Sequence, residues 1–86
     1  MIKKGTLYDA VEYLKMYRSS GDVIYYGKAM ATAKELSKQW YGSDDSWLRF
    51  IDFISSIYGS SGLNTACSFD NLCKMFAMIG IEVADE

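Results

Sequence analysis

Two adjacent carboxylates, Asp44 and Asp45, come nearest in type and spacing to residues that could do acid-base chemistry. They stand in QWYGSDDSWLRF, residues 39–50, between two tryptophans. Paired carboxylates act as general acid and general base when they converge on one site. Neighbouring helix positions point about 100° apart, so these two side chains do not converge. We therefore expect them to stabilise the start of a helix, where carboxylates meet the positive end of the helix dipole.

The absence of histidine removes most other catalytic chemistry. The chain has 86 residues and no histidine, so Ser-His and Cys-His nucleophile pairs are excluded. The sequence also lacks the glycine-rich phosphate-binding motifs of P-loop and dinucleotide-binding proteins. It therefore predicts a protein that is not an enzyme.

The two cysteines, Cys67 and Cys73, give no metal site. Zinc is usually held by four Cys and His ligands, and this pair matches no such spacing. Two cysteines are also too few for a disulfide scaffold. We predict reduced thiols, at least one of them buried, and no cofactor.

A helix-turn-helix motif is a second interpretation of the same stretch, with Asp44 opening the recognition helix. The N-terminal end of such a helix meets phosphates and base edges. Asp44, Asp45 and Asp52 would repel phosphates there, and only Arg49 would attract them. We therefore interpret the stretch as an ordinary helical corner.

Charge is unevenly distributed along the chain. Residues 1–42 hold seven Lys and Arg against four Asp and Glu, whereas residues 43–86 hold two against seven. The basic half could form a nucleic-acid surface on which tyrosines stack against bases. Its candidate contacts are Lys15, Arg18, Lys28, Lys34 and Lys38. A pI near 5.0 gives little electrostatic attraction for nucleic acid, so a solvated lysine face is the favoured interpretation.

Apolar periodicity predicts an all-α fold, a compact single-domain bundle of about four short helices. The helices are expected near 6–18, 22–41, 44–58 and 68–79, followed by an extended or frayed tail at 81–86. The sequence VIYY at 23–26 is also compatible with a strand, because it is β-branched and aromatic. The alanine-rich pattern that follows favours a helix there. In the fourth helix the core spacing is carried by Phe69, Leu72, Cys73, Phe76 and Ile79.

Capping signals mark the ends of these helices. The expected N-caps are Thr6, Asp22, Ser43 and Ser68. The expected C-terminal glycines are Gly42 and Gly80. Gly42 and Ser43 together predict a corner, with Trp40 and Trp47 packed beside it.

The aromatic and methionine content is large for so small a bundle. The chain has seven tyrosines, four phenylalanines, two tryptophans and five methionines. Tyr, Trp and Met are enriched at interfaces, although tyrosines can also line a core edge with wet hydroxyls. The predicted protein-binding residues are Tyr8, Tyr13, Met16, Tyr17, Tyr26, Tyr41, Met75 and Met78.

The sequence thus predicts a small non-enzymatic protein-binding module, an inhibitor or adaptor of a larger protein or protein complex. By analogy of size and composition alone, phages and mobile elements carry such proteins against host machinery. The alternatives are a nucleic-acid-associated regulator that uses the basic half, and a helical subunit that assembles with itself as a homo-oligomer.

The N-terminal segment bears on localisation. Asp9 and Glu12 interrupt its apolar stretch, unlike the core of a signal peptide. No apolar run approaches the ~20 residues that a membrane span needs. We expect a cytoplasmic protein with no membrane partner.

Overall fold

The computed structural model describes residues 1–60 and 69–85 and confirms a small all-α bundle. Its helices are α1 (Lys4–Ser20), α2 (Val23–Tyr41), α3 (Trp47–Ser60) and α4 (Phe69–Met78). Two short strands, β1 (Ile2–Lys3) and β2 (Val83–Ala84), pair in parallel. The predicted N-cap Ser68 lies outside the described residues.

The core is built around α2, which packs against α1 on one side and α3 on the other. Ala29 and Ala33 of α2 are fully buried, and their small side chains let neighbouring helices approach closely. Among the side chains that the structure describes, the buried apolar ones are Ile2, Leu7, Ala10, Val11, Leu14, Ala29, Ala33, Leu36, Phe50, Ile51, Ile54, Leu72 and Phe76. Trp40 and Trp47 are half-buried against this core, as predicted.

The N-terminal strand was not predicted from the sequence. The amide of Ile2 donates to the carbonyl of Glu82 at 3.0 Å, which ties the two ends of the described chain together. The amide of Lys3 donates to Gln39 Oε1 at 2.7 Å, and Gln39 Nε2 donates to Thr6 Oγ1 at 3.1 Å. The prediction that Thr6 caps the first helix is wrong, because α1 begins before it. The Thr6 hydroxyl instead accepts a hydrogen bond from the Gln39 side chain of α2.

The start of α2 confirms the helical interpretation of residues 23–26. Asp22 is the N-cap, and its Oδ1 accepts a hydrogen bond from the amide of Ile24 at 3.0 Å. Gly21 ends α1 with φ at 73°, a conformation that glycine adopts without strain. The sharp turn between α1 and α2 therefore consists of two residues, Gly21 and Asp22.

The second corner differs from its prediction at one end. Gly42 ends α2 with φ at 81°, as predicted. The predicted cap at Ser43 is wrong, because α3 begins only at Trp47. Asp44 and Asp45 consequently lie in the turn before α3 and not in its first helical turn.

The hydroxyl of Ser37 organises this corner. Ser37 is fully buried on α2, and its Oγ donates to the carbonyl oxygen of Ser43 at 2.6 Å. The same oxygen accepts a hydrogen bond from the amide of Ser46 at 3.1 Å. One buried side chain therefore satisfies two backbone groups of a turn that has no secondary structure of its own.

The end of α4 is a Schellman turn. Gly80 has φ at 91°, its amide donates to Ala77 O at 3.0 Å, and the Ile81 amide donates to Phe76 O at 2.9 Å. This confirms Gly80 as the stop and packs Ile81 against the core. The helical periodicity placed Ile79 in the core, but it is 53% exposed. Ile81 packs against the core instead, because α4 ends at Met78, before Ile79.

Gly27 offers a test of the local energetics of α2. It lies inside the helix, and a Cβ added there would meet no atom within 4 Å. Gly27→Ala should raise the free energy of unfolding by about 0.5–1 kcal/mol, because alanine loses less backbone entropy on folding. Urea denaturation measures the change. Gly21→Ala is the control and should destabilise, since its φ is +73°; a loss of stability in Gly27→Ala would contradict the prediction.

Candidate protein-binding surface

Three of the predicted interface tyrosines lie in the seam between α1 and α2. The rings of Tyr17 and Tyr26 are 5.2 Å apart, and both side chains are half-buried. Tyr13 is also half-buried, with Lys28 Nζ 5.7 Å from its ring centroid. These rings therefore contribute to helix packing and offer a partner only their outer edges.

Two further predicted tyrosines are exposed and contact different rings. Tyr8 of α1 packs edge-on against Phe69 of α4 at 5.2 Å, and Tyr41 of α2 packs against Phe50 of α3 at 6.2 Å. Met16, also exposed, lies toward the opposite end of α1 from Tyr8. The predicted tyrosines and Met16 therefore do not form a single surface on the described part of the bundle.

The predicted nucleic-acid residues are spread over several sides of the bundle. On α2, Lys28 reaches toward Tyr13 of α1, whereas Lys34 Nζ lies 5.9 Å from the ring of Trp47 on the α3 side. A strand of phosphates needs several cations along one track. These two lysines lie on different sides of the helix and do not share one.

The other three basic candidates have local structural roles. Lys15 Nζ is 3.8 Å from a carboxylate oxygen of Glu12, one turn earlier on α1. Arg18 and Lys38 stand in the last turns of α1 and α2, where a cation meets the negative end of the helix dipole. These contacts stabilise helices and do not require nucleic acid.

Among the described residues, exposed large apolar side chains occur at several places, including Val23 and Ile24 at the start of α2 and a group of three at the C-terminal end of α4. Met75 is 40% exposed, Met78 84% and Ile79 53%. They stand at positions i, i+3 and i+4, which share one helix face. We call these three residues the α4 patch. The sequence predicted the two methionines as contact residues, but its periodicity assigned Ile79 to the core.

A small apolar pocket lies between α3 and the last turn of α4. Its volume is about 60 Å³, and it is lined by Arg49, Phe50, Phe53, Phe76 and Ile81. Within this lining, the ring of Phe76 lies 4.8 Å from the ring of Phe53 and 6.1 Å from that of Phe50. We call it the phenylalanine pocket.

Sequence reasoning missed this pocket, although one signal pointed to it. The pocket joins α3 to the turn after α4, so no single helical periodicity reveals it. The stop at Gly80 was recognised, and in a Schellman turn the residue after that glycine packs onto the last helical turn. Applying that rule would have placed Ile81 beside Phe76 and released Ile79 to the surface.

Cys73 is a free thiol, half-buried on α4. Burial raises the pKa of this thiol, Lys4 opposes that effect, and Asp70 and Asp85 add to it. A thiol with a raised pKa is a weak nucleophile at neutral pH. Cys67, the other predicted thiol, lies outside the described residues.

Comparisons of the chain with family models, curated proteins and solved structures find no match. Within residues 1–60 and 69–85, no helix has the length and apolar character that a membrane span requires. In the same part of the chain, no three His, Cys, Asp or Glu side chains gather as metal ligands would.

Proposed function

We propose that this protein is a small protein-binding module, an inhibitor or adaptor of a larger protein or protein complex, and that it binds through the α4 patch. The observation that carries the proposal is the exposure of Met75, Met78 and Ile79 on one helix face. Exposed apolar patches of this kind mark interaction surfaces in soluble proteins.

The chemistry of the patch suits a protein partner. Apolar area removed from water contributes about 25 cal/mol per Å², so covering three large side chains provides a driving force for binding. Methionine is unbranched and polarisable, and it adapts to irregular partner surfaces. An exposed apolar helix face is also a recurring element of helix-in-groove recognition.

The competing nucleic-acid function has less support from the same molecule. Its cations divide among different sides of α1 and α2, and several already contact neighbouring side chains. The two functions predict opposite responses to salt. Affinity for duplex DNA falls with a log-log slope of about −0.9 per neutralised phosphate, whereas an apolar interface loses little.

The test is an affinity capture of the tagged protein from source-cell lysate, with and without nuclease, at low and high salt. We expect a near-stoichiometric protein partner that survives nuclease and moderate salt. Recovery that vanishes with nuclease would contradict the proposal and favour the basic half. Recovery of this chain alone, in a stable oligomer, would favour self-assembly instead.

A further inference from the structure

We infer that the groove between the N-terminal part of α1 and the start of α4 binds an arginine side chain of a protein partner. The guanidinium pairs with the Asp9 carboxylate and lies against the ring of Tyr8. The α4 patch lies at the other end of α4, so this groove is a second contact site and goes beyond the proposed function.

The groove is large enough for a side chain together with the backbone that carries it. Its volume is about 560 Å³, within the range of ~300–1,000 Å³ that is typical of ligand sites. The rings of Tyr8 and Phe69 supply the apolar part of its lining, and their centroids are 5.2 Å apart. The lining residues are Lys4, Gly5, Tyr8, Asp9, Phe69 and Asp85.

The charged side chains of this lining favour a cation. Lys4 Nζ lies 3.7 Å from Asp85 Oδ1, so these two charges offset each other. Asp9 is exposed and forms no ion pair with another residue of 1–60 or 69–85. It lies in the second turn of α1, beyond the first turn, where the helix dipole would oppose a bound cation. Lys3 precedes Lys4 but is not among the lining residues.

Charges just outside the lining leave this balance unchanged. Glu12 stands three residues after Asp9 on α1, and its carboxylate is 3.8 Å from Lys15 Nζ. Asp70 and Lys74 carry opposite charges four residues apart on α4, so they offset each other. The groove therefore keeps one unpaired carboxylate, that of Asp9.

Arginine matches both the carboxylate and the ring. A carboxylate accepts two parallel hydrogen bonds from a guanidinium, and the planar guanidinium also stacks on aromatic faces. Tyr8 is 49% exposed and lines the same groove as Asp9, so one guanidinium can reach both. A phosphate or a carboxylate ligand would instead meet two carboxylates of the lining against one ammonium.

Titration of isotope-labelled protein with the peptide acetyl-Ala-Ala-Arg-Ala-Ala-amide tests this inference. The matched probe carries citrulline, which has the shape of arginine without its charge. We expect saturable amide shifts at Gly5, Tyr8 and Asp9 with the arginine peptide. The citrulline peptide should bind about fivefold more weakly, because it forms no ion pair.

Two pairs of variants assign the contacts. Asp9→Asn should weaken binding of the arginine peptide about fivefold and leave binding of the citrulline peptide unchanged. Asp52→Asn, an equally exposed change on α3, is its control and should bind as wild type. Tyr8→Leu should weaken binding about threefold through loss of the cation–π contact, whereas Tyr8→Phe keeps the ring and the affinity.

Several outcomes would overturn the inference. These are no saturable shifts, shifts centred elsewhere, equal affinity for the two peptides, or equal affinity of Asp9→Asn and Asp52→Asn for the arginine peptide. An oligomer of the protein alone that Asp9→Asn dissociates in sedimentation would assign the groove to Arg18 or Arg49 of a second copy, and would also overturn it. The titration uses no cellular partner, so its failure leaves the proposed function, tested by capture through the α4 patch, unaffected.

Discussion

Phe76→Ala should lower the free energy of unfolding by about 3–5 kcal/mol, the loss typical of a buried phenylalanine cut back to alanine. Phe76 is fully buried, lies 4.8 Å from the ring of Phe53 and stacks on that of Phe50. Removing its ring leaves a cavity where α3, α4 and the turn at Ile81 meet. Urea denaturation followed by circular dichroism measures the change.

A matched control for this prediction stands two residues away. Met78 is 84% exposed, so Met78→Ala should change stability by less than about 0.5 kcal/mol. If Phe76→Ala does not fold, Phe76→Leu keeps most of the volume and should lose less. A Phe76→Ala variant as stable as Met78→Ala would show that α4 does not pack on α3 as described.

Ser37→Ala should cost about 1–3 kcal/mol, because two backbone groups of the α2–α3 corner lose their partner. The hydroxyl both donates to Ser43 O and accepts from the amide of Ser46. Ser37 is fully buried, so water cannot readily replace its hydroxyl. Denaturation of the variant gives the loss, and hydrogen exchange at the Ser46 amide should accelerate.

Ser20 is a close control for that prediction because it has the same bonding pattern at an exposed corner. Its Oγ donates to Met16 O at 2.7 Å and accepts from the amide of Asp22 at 3.1 Å. Water can replace the exposed hydroxyl, so Ser20→Ala should cost less than about 0.5 kcal/mol. Equal losses in the two variants would mean that burial of Ser37 has no energetic role.

Helix type and approximate position could be predicted from the sequence because both depend on local pattern. The spacing of Leu7, Ala10, Val11 and Leu14 indicates a helix face without knowledge of its neighbours. Asp22 was recognisable as a cap because its hydrogen bond spans only two residues. Information of this kind lies within a few residues of each element.

The errors arise where distant residues decide the local structure. Ile2 forms a strand because the chain returns to it near residue 83, and no local pattern shows that pairing. The start of α3 depends on the Ser37 hydroxyl, nine residues before Ser46. From the sequence alone, Ser37 cannot be distinguished from the other polar positions of α2, because its burial depends on how the α2–α3 corner packs.

The candidate surface also has features that local pattern predicts and features that depend on distant residues. Exposure of Met75 and Met78 was predictable, because both fall beside the apolar stripe of α4. The phenylalanine pocket was not, since it joins α3 to the turn after α4. Tyr13 and Tyr17 share one side of α1 by spacing and Tyr26 lies on α2, but only the packing of α1 on α2 shows that part of each ring is covered.

Binding through the α4 patch is tested most directly by two charge-matched variants, Met78→Glu and Val23→Glu. Both residues are exposed, at 84% and 73%, but Val23 lies at the N-terminus of α2, outside the patch. Circular dichroism and thermal melting confirm that each variant folds, and captured partner is then quantified against wild type. We predict at least a tenfold loss of partner for Met78→Glu and wild-type recovery for Val23→Glu. Equal recovery by the two folded variants would contradict binding through the α4 patch.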